Sequence, residues 1–186
     1  GTDPCEGEEM KTISLLNYAL DDWHQASGNL AVVHSAVTGD VVGTTASQGL
    51  DFKAMLDHAR NVGGPALRKM TFHERAWMLK DLANAIMARK EELYELSYQT
   101  GASRTDGWID IEGGAGTLFS FSSKGRRDLP NQRILDDGQM EMLSKGETFV
   151  GQHVFTSLQG VAVHINAFNF PVWGMLEKLG PTLLAG

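Results

Sequence analysis

The chain has 186 residues, 42% of them hydrophobic and 21% charged, a balance expected of a soluble globular protein with material for a real core. Its formal net charge of −7 argues against nucleic acid or an anionic membrane as a partner, and no apolar run approaches the roughly 20 residues of a membrane span. A single cysteine excludes an intrachain disulfide framework and makes a reducing cytoplasm the expected location.

The first residues, "GTDPCEGEEMK", lack the basic-then-apolar order of a signal peptide. Cys5 sits among Asp3, Glu6, Glu8 and Glu9, whose negative charge disfavours a thiolate, so it is not expected to be a nucleophile. Met10-Lys11 reads as a natural start, which makes residues 1–9 a tag or an upstream extension. Between 30 and 48, β-branched runs on either side of Thr38-Gly39-Asp40 predict a hairpin. Asp51 is placed to cap a helix from Phe52 to about Asn61, closed by Gly63-Gly64-Pro65. Thr71 and Glu74 form a capping box, and Phe72, Ala76, Leu79, Leu82, Ala83 and Ile86 recur at helical spacing behind it. "KEELYELSYQTG" continues as helix to Gly101, and a third helical piece is expected from about Trp108 to Lys124.

The texture then changes. "GRRDLPNQ" is a turn-rich connector, and 133–158 carries short strand-like runs that predict a β ribbon. Gly160 leads into "VAVHIN", an apolar run of the kind buried as a strand in a parallel sheet. Pro171 suits the first turn of a helix, read over "VWGMLEKLG". Helices, a ribbon, then strand–turn–helix make the front of an α/β protein. One βα unit cannot complete a parallel sheet, so the expectation is an N-terminal fragment with three parts: 10–132 helical, 133–158 ribbon, and 159–186 the start of a Rossmann-like unit.

Several motifs invite chemistry. "GGAG" at 113–116 could be taken for a phosphate loop, but nothing strand-like precedes it and Phe119 stands where a further glycine would be needed; close helix packing explains it better. The six histidines show no metal-binding spacing, so no metal site is expected. Arg126-Arg127 beside Asp128 reads as a solvated turn. "INAFNFP" stands apart, because the end of a strand before a helix is where open α/β sheets bind ligands. An amide there can donate to an oxygen that turns negative only during reaction. Alternatively, Asn166 and Asn169 merely satisfy the turn.

"GVAVHINAFNFPVWGMLEKLGPTLLAG" resembles the aldehyde dehydrogenase superfamily, whose corresponding segment reads "GVvg.I.PWNFPl....wKl.PALaaG". The form "NAFNFP" is similar to a narrower group, the aldehyde dehydrogenase part of the bifunctional phenylacetate-degradation proteins. "GGPALRKMTFHERAWMLK", "QTGASRTDGWIDIEGGAGTLF" and "GRRDLP" fit that group too. A close cousin with the same motif is the 3,4-dehydroadipyl-CoA semialdehyde dehydrogenase of the benzoyl-CoA pathway.

The resemblance implies that Asn169 donates its side-chain amide to the oxyanion formed when a cysteine thiolate attacks an aldehyde. It implies cofactor contacts, NADP or NAD, at Ile165, Asn166, Ala167 and Phe168. Phe170, Trp173, Gly174 and Glu177 would line the substrate tunnel, with 173 and 177 an i, i+4 pair, and Lys178 matches a family lysine near the active site. Ala167 and Phe168 replace the usual proline and tryptophan, and Gly174 removes a side chain from the tunnel. The family's nucleophilic cysteine, general-base glutamate and ribose-binding lysine would lie beyond Gly186. The implied substrate is a CoA-linked aldehyde, the semialdehyde made from ring-opened oxepin-CoA. The implied assembly is a homo-oligomer built from dimers through the ribbon. Two alternatives stand beside this reading: oxidation of the dehydroadipyl-CoA semialdehyde, and a non-catalytic truncated module that only assembles with a full-length partner.

Overall fold

A computed structural model describes residues 12–186. The expected features of residues 1–9, Cys5 among them, lie outside the described part.

The chain opens with short strands: β1 (Ile13–Ser14), β2 (Asn17–Ala19), β3 (Asp22–His24), β4 (Ala31–His34) and β5 (Val41–Thr45). The hairpin predicted around Thr38-Gly39-Asp40 is β4–β5, antiparallel, with Gly39 at φ +81° in the tight return. β1 adds to β5 in parallel, giving the order β1–β5–β4. β2 and β3 form a separate hairpin whose turn residues, Leu20 and Asp21, both have positive φ (55° and 64°). The 10–132 segment is therefore not helical throughout.

Asp51 caps α1 (Phe52–His58) by accepting from the Ala54 N–H at 2.9 Å. The helix does not stop at Gly63-Gly64-Pro65 as expected. A π-helical turn at Ala59–Gly63 carries it into α2 (Gly64–Lys69), with Pro65 in the first turn. A proline cannot donate to the carbonyl four residues back, and the wide turn accommodates that missing bond without ending the helix.

α3 (Phe72–Ala88) begins at the predicted capping box: the Glu74 N–H donates to Thr71 Oγ1 at 3.2 Å, and the Thr71 N–H donates to Glu74 Oε2 at 2.7 Å. α4 (Lys90–Tyr98) ends ahead of Gly101, whose φ is +83°. α5 (Arg104–Asp128) is longer than expected at both ends, because Ser103 and Asp106 form a second capping box and the helix runs on to Asp128. Arg126 and Arg127 thus lie in the last turn of a helix, where cations meet its negative end, rather than in a solvated turn.

β6 (Leu135–Met142) and β7 (Val150–Phe155) make the expected antiparallel ribbon. α6 (Pro171–Ala185) passes through Pro181 and so outruns the predicted "VWGMLEKLG".

The core lies among α3, α5 and α6. Ala76, Leu79 and Ala83 of α3, Leu118 of α5, and Leu176 and Leu184 of α6 are buried together, with Leu82 and Ile86 packed against them. The apolar stripe read from α3 is the one that is buried. Arg75 lies on the same stripe and is completely buried. Its Nη1 donates to the Ala185 carbonyl at 3.2 Å, and its guanidinium stacks 4.6 Å from the Phe72 ring centre. Ser157 Oγ donates to the same carbonyl at 2.8 Å, tying the end of the ribbon to the end of α6. Among the described residues, no helix is long and apolar enough to cross a membrane.

Residues 161–167 depart from expectation. The segment has no regular secondary structure and belongs to no sheet. Apolar, β-branched residues favour an extended backbone, yet a strand also needs a neighbour to accept its hydrogen bonds. Among the described residues no strand lies alongside, and Val163 is 75% exposed.

Candidate active site: an extended segment, a turn and the start of α6

The extended segment is held against α6 by His164, whose Nε2 lies 3.2 Å from Thr182 Oγ1; that hydroxyl donates to the Lys178 carbonyl at 2.7 Å. Past it the chain turns through Phe168 and Asn169 to Phe170, and α6 begins with Pro171 in its first turn. The residue before the helix, Phe170, has no side-chain oxygen with which to cap the first-turn amides.

Those amides are satisfied from another helix. Asp110 of α5, only 3% exposed, accepts the Trp173 N–H at 2.7 Å (Oδ1) and the Val172 N–H at 3.3 Å (Oδ2). A carboxylate at this end also meets the helix dipole with the favourable sign. The contact forms because α5 and α6 approach very closely there. A Cβ on Gly114 would stand 3.1 Å from both the backbone N and Cα of Trp173, and one on Gly113 would stand 2.7 Å from the Trp173 ring. The "GGAG" stretch is thus a packing surface, as its sequence context indicated.

Neither asparagine satisfies the turn. Asn166 and Asn169 are exposed, and among the described residues neither side chain has a hydrogen-bond partner. Pro171 has no N–H, Val172 and Trp173 give theirs to Asp110, and Gly174 N–H donates to the Phe170 carbonyl at 3.0 Å. The first turn of α6 therefore has no spare backbone donors to converge on an anion. A side-chain amide, that of Asn169, lies exposed beside it.

The other sequence-derived residues fall around this point. Ile165 and Phe168 are each 88% exposed, and Ala167 is exposed between them. Phe170, Trp173 and Gly174 are half-buried, and Glu177 is exposed. Trp173 is turned onto α5. Lys178 donates from Nζ to the Gly174 carbonyl at 2.7 Å and lies 3.4 Å from Glu177 Oε1. Asp110 escaped the sequence reading. The signal was present: Gly107, Asp110, Ile111 and Gly114 recur at helical spacing and are all buried, so a carboxylate stands on a stripe of small and apolar residues.

The aldehyde dehydrogenase family model matches residues 23–186, and the chain belongs to that family. It is 38% identical over 175 residues to the 3,4-dehydroadipyl-CoA semialdehyde dehydrogenase of Aromatoleum evansii, covering 94% of this chain and 34% of that protein. It is 26% identical over 173 residues to the NADP(+) succinate-semialdehyde dehydrogenase GabD of Escherichia coli K12, covering 89% of this chain and 33% of that protein. The fold is similar to the crystal structure of PnpE in complex with nicotinamide adenine dinucleotide, with a TM-score of 0.68 at 23% identity over 93% of this chain and 34% of that one. The chain thus spans about a third of the length of the curated relatives it matches.

Proposed function

We propose that this chain is part of an NAD(P)-dependent aldehyde dehydrogenase that oxidises a CoA-linked semialdehyde to its acid. The observation that carries the proposal is the unpartnered amide of Asn169 beside a helix start whose own amides are committed to Asp110. An amide so placed costs no pairing within the protein to redirect, and it can bind an oxygen as negative charge develops on it. In this reading Asn169 stabilises the oxyanion formed when a thiolate from another part of the protein attacks the aldehyde. Asn166 helps to hold the cofactor.

The residues suit a dinucleotide. Ile165 and Phe168 offer exposed apolar surface, and Asn166 adds an unpartnered amide between them. When bound, the nicotinamide would supply the hydride acceptor. Ile165, Asn166, Ala167 and Phe168 would lie along it, while Phe170, Gly174 and Glu177 would face the substrate; the Trp173 ring, expected beside them, packs instead against Gly113 of α5. The ribbon β6–β7 would join copies of the protein, starting from dimers, as Met140, Met142, Phe149 and Phe155 lie exposed on it.

For the substrate, the sequence resemblance favours the semialdehyde of aerobic phenylacetate degradation. A second reading, the 3,4-dehydroadipyl-CoA semialdehyde, is favoured by the 38% identical relative that carries that name. Steady-state kinetics of the full-length protein on both CoA-linked semialdehydes and on succinate semialdehyde, each with NADP and NAD, tests the proposal. A kcat/KM for one CoA-linked substrate at least tenfold above that for succinate semialdehyde supports it. No preference for the CoA-linked compounds removes the substrate class. Absence of cofactor reduction with every aldehyde leaves the assembly-module alternative in its place.

A further inference from the structure

We infer that Asp110 is a positioning residue for the oxyanion donor: by capping α6 from α5, it keeps Asn169 free to act on substrate. The inference rests on the proposed function above and goes beyond it in naming a residue far in sequence from the motif. Asp110 lies 62 and 63 positions from the two amides it accepts, so the cap is a tertiary contact rather than a local one. The turn carries two asparagines, a residue type strongly favoured for capping, yet neither is engaged. Half-buried first-turn amides left without an acceptor are costly and would recruit the nearest available side-chain oxygen. The asparagine nearest in sequence to Val172 and Trp173 is Asn169. A carboxylate on α5 removes that demand, and it fixes where α6 starts, because Gly113 and Gly114 leave Trp173 little room to shift.

Asp110 would thus act on kcat through Asn169 rather than on folding alone. The test is a double-mutant cycle in the full-length enzyme, with Asp110→Asn, Asn169→Ala and the pair, following kcat, KM and cofactor Kd. Asp110→Asn preserves the side-chain shape and one acceptor oxygen but removes the charge. It is expected to lower kcat about tenfold, the order of one charge-assisted hydrogen bond, with cofactor Kd within about twofold. In the Asn169→Ala background the same change should lower kcat by less than about twofold, since its route of action is already gone. Asp110→Glu, which keeps the charge on a longer arm, passes through the same cycle in case Asp110→Asn does not fold. A purely structural cap would give losses that multiply in the double variant, and that result overturns the inference while leaving the role of Asn169 intact. Unchanged kcat in Asn169→Ala alone would instead overturn the underlying reading of the site.

Discussion

Two glycine positions in the "GGAG" stretch, one against the backbone of α6 and one in open space, allow the packing account to be tested with one kind of substitution. Gly114 and Gly116 are both inside α5, where replacing glycine by alanine favours the helix by about 1 kcal/mol. A Cβ at Gly116 meets nothing within 4 Å, so Gly116→Ala should keep that gain. At Gly114 the same Cβ comes within 3.1 Å of the Trp173 backbone and 3.2 Å of Val172 Cγ1. Backbone cannot swing aside, and overpacking of this kind costs about 1–3 kcal/mol, more than the helix gain. Gly114→Ala should therefore be a net loss of about 1 kcal/mol, placing the two variants about 2 kcal/mol apart. Thermal unfolding of the two variants in the full-length protein gives the comparison, each serving as the other's reference. Gly114→Ala should also lower kcat, because the strain falls on the turn that carries Asn169. Equal Tm values for the two variants would refute the claim that α6 is seated on this glycine face.

Further expectations concern pH and association. The Glu112 carboxyl is held below its usual range by hydrogen bonds from Tyr94 Oη at 2.6 Å and Lys90 Nζ at 3.0 Å, while burial, and then the same carboxylate, push the Tyr94 hydroxyl up to about 12. Because the folded pKa of Glu112 lies below the unfolded value of about 4.3, its contribution is complete above that pH and is lost as pH falls through the folded pKa. Denaturant midpoints should therefore show a steeper acid loss for the natural protein than for Glu112→Gln; identical acid limbs would count against the contact. The 186-residue chain alone should self-associate, since Val163, Ile165 and Phe168 lie exposed on a segment with no strand beside it among the described residues. A sharp monomer peak in size-exclusion chromatography at tens of micromolar would contradict that.

Features decided within a few residues were legible in the sequence. The capping box at Thr71 and Glu74, the return at Gly39 and the cap of α1 by Asp51 each depend on neighbours in the chain. Features decided by distant partners were not. The β2–β3 turn places Leu20 and Asp21 at positive φ without the glycine that usually announces such a turn, and the parallel pairing of β1 with β5 spans about thirty residues. "VAVHIN" was read as a buried strand and is not one here, because a ladder needs a second strand that the segment itself does not encode. At the site, the two asparagines were visible as an anomaly in an apolar run. The cap that takes the first-turn amides was not, because it is Asp110 reaching across from α5. Buried Arg75 carried a signal comparable to that of Asp110, a charge on the apolar stripe of α3.

The most direct test of the central claim is the kinetics of Asn169→Ala beside Asn166→Ala in the full-length enzyme, with cofactor titration of both. If Asn169 is the oxyanion donor, its loss lowers kcat roughly a hundred- to a thousandfold, about 3–4 kcal/mol, and leaves cofactor affinity nearly unchanged. Asn166→Ala should act mainly on cofactor binding. A near-normal kcat in Asn169→Ala with the loss falling on Asn166→Ala would reverse the roles and contradict the account.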